Sequence, residues 1–508
     1  MNPSDASGIS RRSLLTGLGA AAVAGAAPNA FALPQSEAPG WAGATDVLVI
    51  GSGAAGISAA LEARQAGAKV LVMESLGQFG GSSAMSGGVI YAGGGTALQK
   101  ALGVEDSAEQ MARFLALAGG PHPPVDKISR YCEESPAHFD WLVEQDVPYT
   151  RKITLAKGLP MGDESLYFSG NEQAWPSRDL AEPAPRGHVP GIAGMNGGRS
   201  LMQALLQKAR KAGVALQANA SLQQLIVASD GRVVGATIQV DGRIRAIRAV
   251  RGVVLASGGF IHNRPMVRQY APQLYDCSVP WGNAGDLGQG ILAGMAVGGA
   301  VLRMHHGFAI APLYPPEQVL AGIVVNAAGQ RFISEESYHG VLGDAIAFHQ
   351  QGKAWLITDK DSSYSTPQDN FLPVATASTV GDLAAQLQLP RGALQNTVGY
   401  YNRYAANGED PMFQKEQTWL RPLQKPPFTA WNLSVDSAFF PAHTFGGLQT
   451  SVEGAVINSF GDAIAGLYAA GRTTAGLPMA PYIASGLSVG DCTFFGRLAG
   501  KAVAGSRA

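Results

Sequence analysis

The chain has 508 residues, of which 15% are charged, and its formal net charge is -1. This balance leaves no excess of cationic side chains to neutralise phosphates, so it argues against nucleic-acid binding. The length exceeds that of a usual single domain and predicts two domains or one domain with a large insertion. The 65 glycines follow no fixed period, which favours a backbone that approaches a large ligand at many points.

The N-terminus predicts an export signal. Residues 10–15 contain two adjacent arginines and precede an apolar, Ala/Gly-rich run that ends in Ala-Phe-Ala at Ala32. This order resembles a twin-arginine signal with cleavage near Ala32, so residues 1–43 are interpreted as signal and linker and a periplasmic protein is expected. A disordered leader or a basic arm is the alternative. The run is too short and too glycine-rich to cross a bilayer, and no stable membrane span is expected.

A glycine-rich turn after the first apolar strand is the most informative motif. Gly51 permits a tight turn, Gly53 lets the backbone approach a pyrophosphate, and Gly56 lets the following helix pack closely on the sheet. A second apolar strand, residues 69–73, ends at Glu74, where a carboxylate can accept hydrogen bonds from the ribose hydroxyls of an adenosine. The whole unit predicts a dinucleotide-binding site.

The next segments alternate between ligand-wrapping loops and helices. Glycines and serines at residues 80–95 are too dense for regular structure and indicate backbone wrapped around a ligand. Residues 98–150 are predicted to be largely helical, and the polar, Pro/Gly-rich residues 161–197 are predicted to form a surface loop. Residues 199–213 predict a helix that a glycine terminates.

The remaining pattern predicts an α/β fold. Residues 222–250, with the turn dipeptides Asp230-Gly231 and Asp241-Gly242, predict a β-meander, and a separate buried strand that ends in glycines then resumes the parallel sheet. The fold class is therefore a Rossmann-like dinucleotide-binding domain, residues 44–306 and 442–508, split by an inserted α+β cap domain at 307–441. The three cysteines lack metal-ligand or disulfide spacing, and no metal site is expected.

These motifs together resemble the FAD-dependent family that includes fumarate reductase flavoprotein subunits, urocanate reductases and 3-ketosteroid dehydrogenases. The resemblance covers nearly everything after residue 44. It rests on residues 47–56, 80–83, 253–259, 283–288, 329–332, 443–447, 466–471 and 486–500. It implies non-covalent FAD and a substrate that binds over the flavin at the domain junction. The residues expected to bind the cofactor are Gly51, Gly53, Ala54, Ala55, Gly56, Glu74, Ser75, Gly81, Ser82, Ser83, Gly87, Gly88, Ser257, Gly258, Asp286, Gly471, Gly486, Leu487 and Ser488.

Two positions distinguish among the members of this family. Fumarate reductases hold two carboxylates with paired arginines, and the matching positions here are Tyr338 or His339 and Tyr482. Tyrosine cannot replace the bidentate guanidinium, so small dicarboxylate substrates are disfavoured. The pattern resembles the 3-ketosteroid Δ4-(5α)-dehydrogenases, in which tyrosines and a serine surround the carbons that are desaturated. The matching serine is Ser485, with Ser488 as an alternative register.

Dehydrogenation beside a ketone requires a donor to the carbonyl, a base and a hydride acceptor. Tyr482 is expected to be the base, with its pKa lowered by a hydrogen bond to Tyr338 and by the N-terminus of a final helix, and with Ser485 assisting. Both tyrosines are alternatively packing aromatics. His443 is expected either to orient a flavin oxygen or to do acid–base work. Asp286 is expected to hold cofactor hydroxyls or to cap a helix.

Two other functions compete with this interpretation. Because His443-Thr444 also fits the reductase pattern, the runner-up is an exported ene-reductase of the fumarate/urocanate reductase type. A non-catalytic electron-transfer flavoprotein is the third candidate. The expected partners are a hydrophobic small-molecule ketone and an external electron acceptor, since the sequence carries no haem-attachment motif.

Overall fold

The computed structural model describes residues 32–118, 122–156, 158–313, 317–363 and 372–506. The predicted export signal lies outside the described residues. Across the described chain the strands are β1 (Ala32–Pro34), β2 (Trp41–Ile50), β3 (Val70–Met73), β4 (Ile90–Tyr91), β5 (Leu166–Tyr167), β6 (Gly187–His188), β7 (Ala215–Gln217), β8 (Ala220–Val227), β9 (Val233–Val240), β10 (Arg243–Leu255), β11 (Val279–Pro280), β12 (Val301–Leu302), β13 (Gly307–Ala309), β14 (Ile323–Asn326), β15 (Ala354–Thr358), β16 (Pro373–Ala377), β17 (Phe428–Asn432), β18 (Pro441–Thr444), β19 (Gly447–Leu448), β20 (Ala455–Ile457) and β21 (Ala463–Ala469).

Helices connect and cover these strands. They are α1 (Ala54–Gln65), α2 (Ala97–Ala101), α3 (Ala108–Ala118), α4 (Val125–Glu144), α5 (Ser177–Leu180), α6 (Gly197–Lys211), α7 (Arg264–Tyr270), α8 (Pro272–Tyr275), α9 (Gln289–Ala296), α10 (His339–Asp344), α11 (Val380–Gln386), α12 (Ala393–Ala405) and α13 (Leu487–Gly505). None of the helices in the described residues is both long enough and apolar enough to cross a bilayer.

The main sheet confirms the α/β fold class. Its strand order is β1-β8-β9-β10-β2-β3-β7, and β21 pairs with β10 and with β20. Strands β2, β3, β7, β10 and β21 run parallel, so the carboxyl ends of β2, β3, β10 and β21 meet at one edge of the sheet. Loops that leave this edge are the expected place for a ligand in an open α/β sheet.

Strand β10 corrects one prediction from the sequence. The third strand of the meander and the following buried strand are a single strand, which pairs antiparallel with β9 in its first half and parallel with β21 in its second half. The register shifts between Ala249 and Gly252, and Gly252 has φ +155°. A bulge at this glycine lets one strand serve both pairings, and the composition alone does not reveal it.

Residues 161–197 are a second correction, because they do not form a surface loop. Leu166 and Tyr167 are buried, as are Ser169 and Asn171. Arg186 is fully buried and donates to the Asp106 carboxylate through Nε at 3.0 Å and Nη2 at 2.7 Å. Polar side chains are stable in a core when they are paired, so polarity did not indicate exposure here.

Helices α1 and α13 pack face to face beneath the sheet edge. A Cβ on Gly496 would lie 2.4 Å from the Ala55 carbonyl oxygen, and one on Gly500 would lie 2.2 Å from that of Ala59. Only glycine fits at such distances, so the two helices approach closely, with the first turn of α1 against the middle of α13.

Residues 307–441 contain a separate antiparallel sheet with the order β14-β15-β17-β16. Helices α11 and α12 cover it, and Leu383, Leu394 and Val398 are buried among its apolar side chains. At the edges of this segment β13 pairs with β18, which places the first and last residues of the predicted cap side by side. The assignment of domain boundaries at 307 and 441 stays a prediction.

Candidate active site

A cavity lies at the carboxyl ends of β2, β3, β10 and β21. Most of the residues predicted to bind the cofactor line it. They are Gly51, Gly53, Ala54, Ala55, Glu74, Ser75, Gly81, Ser82, Ser83, Ser257, Gly258, Asp286, Gly471 and Ser488. The sequence-distant motifs thus converge on one site, as a dinucleotide cofactor requires.

The turn between β2 and α1 has the geometry that the glycine spacing predicts. Gly51 has φ +105°, and a Cβ there would lie 2.3 Å from the Ala256 carbonyl oxygen. A Cβ on Gly56 would lie 2.0 Å from the Gly51 carbonyl oxygen. Gly53 is the N-cap of α1, so the first helical turn, whose N–H groups have no partner within the helix, lies at the cavity.

Glu74 lies at the end of β3 with its carboxylate buried. Its Oε2 accepts from Ser52 N at 3.1 Å and from Ser52 Oγ at 2.6 Å, and Oε1 accepts from Leu76 N at 2.9 Å. These donors fix the carboxylate at the cavity wall, where its remaining lone pairs can accept from ribose hydroxyls. Ser52, which the sequence analysis missed, is therefore a second residue of this corner.

Five of the predicted cofactor residues lie outside the cavity wall and have packing roles. They are Gly56, Gly87, Gly88, Gly486 and Leu487. A Cβ on Gly88 would lie 2.2 Å from the Gly197 carbonyl carbon, and one on Gly486 would lie 2.5 Å from Tyr91 N. Leu487 packs in an apolar cluster. These residues bring the lining loops and helices close together without facing the cavity.

Three polar atoms in the cavity wall are buried and make no hydrogen bond. They are His443 Nε2, Arg472 Nη1 and Ser488 Oγ. Buried polar atoms without a partner are costly, so a ligand with several polar groups fits this cavity. Arg472 was not predicted from the sequence. Its signal is its position directly after Gly471, at the end of β21.

Asp286 holds Arg472 in place. Its Oδ2 accepts from Ser82 Oγ at 2.8 Å and from Arg472 Nη2 at 2.5 Å. The N-cap of α9 is Gly288, which has no side-chain cap, so the predicted capping role of Asp286 is wrong. The carboxylate instead anchors a guanidinium in the wall of the cofactor cavity.

The predicted catalytic residues form two separate hydroxyl contacts. The hydroxyls of Tyr338 and Ser485 are hydrogen-bonded at 2.7 Å, and either oxygen can be the donor. The hydroxyl of Tyr482 instead accepts from Ser488 N, in the first turn of α13, at 3.0 Å. The structure thus places Ser485 against Tyr338 and Ser488 against Tyr482, so the expected hydrogen bond from Tyr338 to Tyr482 is replaced by two others.

The expected lowering of the Tyr482 pKa is wrong. Burial raises the pKa of Tyr482 to about 12, although contacts with the side chain and backbone of Ser488 oppose this effect. The side chain is 4% exposed and packs between the rings of Phe308 and Phe445. Desolvation of the phenolate therefore outweighs the favourable end of the helix, and Tyr482 is protonated at neutral pH.

A segment that sequence analysis placed on the surface positions both members of the Tyr338–Ser485 pair. Ser169 Oγ donates to the Ser485 carbonyl oxygen at 2.8 Å, and Ser485 N donates to the Ser169 carbonyl oxygen at 2.8 Å. Tyr338 N donates to Asn171 Oδ1 at 2.8 Å. Residues 169–171 therefore fix the backbone on both sides of the hydroxyl pair.

A second cavity lies beside Tyr338 and His339. Apolar side chains dominate one part of its wall, and neither arginine nor lysine lines it among the described residues. The apolar residues are Phe168, Ala174, Leu313, Val319 and Leu320. Burial lowers the pKa of His339 to about 3, so this imidazole is neutral at physiological pH. Glu335 and Glu336 also line the cavity, so it disfavours an anionic molecule and suits a neutral one with an apolar part.

His443 lies in the wall of the first cavity. Burial lowers the pKa of His443 well below its ordinary value, and the charge of Arg472 lowers it further. A neutral imidazole in the wall of the cofactor cavity can orient a cofactor oxygen, whereas an imidazolium acid would not form there. Of the two roles predicted for His443, this geometry favours the first.

The fold and the first cavity define a class of protein. A glycine turn at the N-terminus of α1, an acid at the end of β3 and unpartnered polar atoms in one wall are the features of a dinucleotide-cofactor site on a Rossmann-like sheet. Nowhere in the described residues do three or more histidine, cysteine or acidic side chains cluster as a metal site. The structure thus defines a protein that binds a dinucleotide cofactor, and its family identifies this cofactor as FAD and the protein as an oxidoreductase.

Comparisons with known proteins agree with this class. The sequence profile of the FAD binding domain family matches residues 46–484, and the chain belongs to this family. A solved structure of 3-ketosteroid-Δ4-(5α)-dehydrogenase from Rhodococcus jostii RHA1, in complex with 4-androstene-3,17-dione, is 39% identical with a TM-score of 0.87. The match covers 93% of this chain and 99% of that chain.

Curated relatives include dehydrogenases and reductases. The 3-oxo-5-alpha-steroid 4-dehydrogenase of Comamonas testosteroni is 29% identical over 502 residues, which cover 85% of this chain and 93% of the relative. The probable fumarate reductase Ifc3 of Shewanella frigidimarina is 28% identical over 480 residues, which cover 92% of this chain and 76% of the relative. The resemblance inferred from the sequence motifs is thereby confirmed.

Proposed function

We propose that the protein desaturates a 3-ketosteroid by removing hydrogens from two adjacent carbons next to the ketone. The observation that carries this proposal is the Tyr338–Ser485 hydroxyl pair, hydrogen-bonded at 2.7 Å beside a cavity without cationic lining residues. The similarity to 3-ketosteroid-Δ4-(5α)-dehydrogenase supports a 4,5-desaturation. Bound FAD supplies the acceptor for the hydride that leaves the β-carbon.

The hydroxyl pair takes the α-proton. Since either oxygen can be the donor, Ser485 Oγ can receive the proton from the substrate while its own proton moves to Tyr338 Oη, and the phenol proton of Tyr338 passes to solvent water through the second cavity, which Tyr338 lines. The number of protons on the pair is unchanged after this relay, so no stable alkoxide is required. Hydrogen bonds with Ser169 and Asn171 fix the backbone of Ser485 and Tyr338.

Tyr482 is a hydrogen-bond donor in this mechanism rather than the base. Its oxygen accepts from Ser488 N, and its raised pKa keeps its proton in place. A protonated phenol beside the hydroxyl pair can polarise the ketone, which makes the α-hydrogen more acidic. The base assigned from the sequence is therefore replaced by the Tyr338–Ser485 pair.

A dicarboxylate substrate fits the site poorly. No arginine or lysine is among the described residues that line the second cavity, and Arg331, the partner of the lining residue Glu335, also pairs with Asp410, at 2.8 and 2.9 Å. The carboxylates of such a substrate would stay unpaired in a desolvated cavity, which is unfavourable. A neutral ketone does not incur this cost.

Anaerobic mixing of the FAD-loaded protein with a 5α-saturated 3-ketosteroid tests the proposal. We expect the visible absorbance of the oxidised flavin to disappear, whereas the matching 3-hydroxysteroid should leave it unchanged because it has no acidified α-hydrogen. If the dithionite-reduced protein is instead reoxidised by an enoate such as urocanate or fumarate, and the ketosteroid causes no bleaching, the ene-reductase function is correct.

We propose also that the protein is exported and passes its electrons to an external acceptor. The adjacent Arg11 and Arg12 before the Ala/Gly-rich run support a twin-arginine signal. Replacing both arginines by lysine should retain the protein in the cytoplasm, measured by fractionation of cells that express the full chain. Equal periplasmic amounts of the variant and the wild type would contradict this localisation.

A further inference from the structure

Of the two terminal nitrogens of the Arg472 guanidinium, only Nη2 has a hydrogen-bond partner. The side chain is 12% exposed, Nη2 donates to Asp286, and Nη1 is buried without a partner. A charged donor that is buried and lacks an acceptor is unfavourable unless a ligand supplies one. We propose that Arg472 Nη1 binds the diphosphate of FAD, and that Asp286 acts as the positioning residue that orients the guanidinium.

The backbone places Arg472 beside the N-terminus of α1. The preceding residue, Gly471, approaches this helix so closely that a Cβ would lie 2.9 Å from the Ala55 Cβ. The N–H groups of the first turn after a glycine-rich loop are the part of such folds that binds a diphosphate. Arg472 and the first residues of α1, Ala54 and Ala55, line the same cavity.

The hydrogen bonds of Asp286 also connect the ion pair to the N-terminus of α1. Ser82 Oγ donates to Asp286 Oδ2, and the adjacent Ser83 Oγ accepts from Ala54 N, in the first turn of α1, at 3.1 Å. The carboxylate that holds Arg472 is thus hydrogen-bonded to the loop that contacts the N-terminus of α1. Since this carboxylate occupies only Nη2, Nη1 is left to donate to a ligand.

The charge on the ligand favours the diphosphate over other parts of FAD. A guanidinium gains most from an anionic oxygen acceptor, and the diphosphate carries the negative charge of the cofactor. The N-terminus of α13, with Ser488 in the cavity wall, remains available for the isoalloxazine ring. This role of Arg472 depends on FAD binding alone and not on which substrate the protein oxidises.

Phosphorus NMR of the holoenzyme tests the contact directly. In Arg472→Gln we expect the two diphosphate resonances of bound FAD to move, the visible flavin spectrum to stay unchanged, and FAD to bind about 10- to 100-fold more weakly. Arg472→Lys, which keeps the charge with a single donor head, should retain part of the affinity. This second variant provides the test if the glutamine variant does not fold.

Arg497→Gln is the matched control. Arg497 has nearly the same exposure, 14%, and pairs with the buried Glu62, but it lies outside the cofactor cavity. We expect its diphosphate resonances and FAD affinity to equal those of the wild type. The proposal is overturned if Arg472→Gln and Arg472→Lys leave the phosphorus resonances in place, or if they move the visible flavin spectrum instead.

Discussion

Replacing Tyr338 by phenylalanine removes one oxygen of the hydroxyl pair and keeps the ring. In the wild type Tyr338 and Ser485 are joined by a bond of 2.7 Å, which is the usual length for two hydroxyl groups. Without the phenol oxygen, Ser485 Oγ can receive the substrate proton only if it becomes positively charged or loses its own proton elsewhere. The relay is therefore interrupted at its second step.

The expected effect is large on the chemical step and small on binding. Loss of a positioned acid–base group lowers a rate by roughly 10²- to 10⁴-fold, which corresponds to about 3 to 5 kcal/mol in the barrier. Tyr338 does not line the cofactor cavity, so the affinity for FAD should not change. The steroid should also bind with nearly unchanged affinity, because the phenyl ring still contacts the second cavity.

Anaerobic stopped-flow absorbance with a 5α-saturated 3-ketosteroid measures both quantities, the limiting rate of flavin reduction and the dissociation constant of the steroid. Tyr401→Phe is a suitable control, since Tyr401 is a buried tyrosine of the cap segment whose hydroxyl makes one long bond, of 3.4 Å, to the Ala321 carbonyl oxygen. A Tyr338→Phe rate within about threefold of the control would refute the proton relay.

Three further predictions follow from the charges and pKa values of the structure. Tyr482→Phe should slow flavin reduction without changing how the rate depends on pH between about pH 6 and 10, because the raised pKa keeps this phenol protonated throughout that range. If the stopped-flow rate of the wild type changes with pH at the alkaline end of this range and that of the variant does not, the prediction is wrong. Asp106→Asn should lower the free energy of unfolding by about 3 to 5 kcal/mol in urea titrations, since it leaves the fully buried Arg186 uncompensated. Burial acts to raise the pKa of Glu335, but Arg331 and Lys415 outweigh it and lower the pKa to about 2 from an ordinary 4.5. This stabilisation is present above pH 4.5 and is lost as the pH falls towards 2. The unfolding free energy of Glu335→Gln should therefore fall less steeply between these two pH values than that of the wild type. Equal slopes for the two proteins would contradict this prediction.

The cofactor site was predictable from the sequence because its chemistry is local. The spacing of Gly51, Gly53 and Gly56 reflects contacts within one strand, one turn and one helix, and the acid at Glu74 ends the next strand. Each signal lies within a few residues of the backbone geometry that requires it. Such short-range rules are visible in a single sequence.

The hydroxyl pair and the Arg472 anchor follow from contacts that no local pattern encodes. Tyr338 and Ser485 are 147 residues apart, and Asp286 and Arg472 are 186 residues apart. Their pairing depends on how the cap segment and the last helix meet the main sheet. Tyr338 and Ser485 are identified from the sequence only through family resemblance. The sequence assigns the base to Tyr482 because it does not show the burial of this side chain, which raises its pKa and is a tertiary property.

Residues 161–197 show why composition can mislead. Their polar side chains, such as Arg186, predict exposure when they are considered singly. In the folded chain Arg186 meets Asp106, while Ser169 and Asn171 bond to the backbone of the catalytic residues. The partners of these polar side chains are far away in sequence, so the sequence predicts a surface loop. In the structure the segment instead packs against Ser485 and Tyr338.

The most direct test is the stoichiometry of a single anaerobic turnover. When the FAD-loaded protein is mixed with an excess of 5α-saturated 3-ketosteroid, we expect one steroid molecule to lose two hydrogens for each flavin that is reduced, with the new double bond next to the ketone by mass spectrometry and NMR. Flavin that stays oxidised while the steroid is recovered unchanged, in protein that reduces an unsaturated acid, would contradict the proposed dehydrogenation.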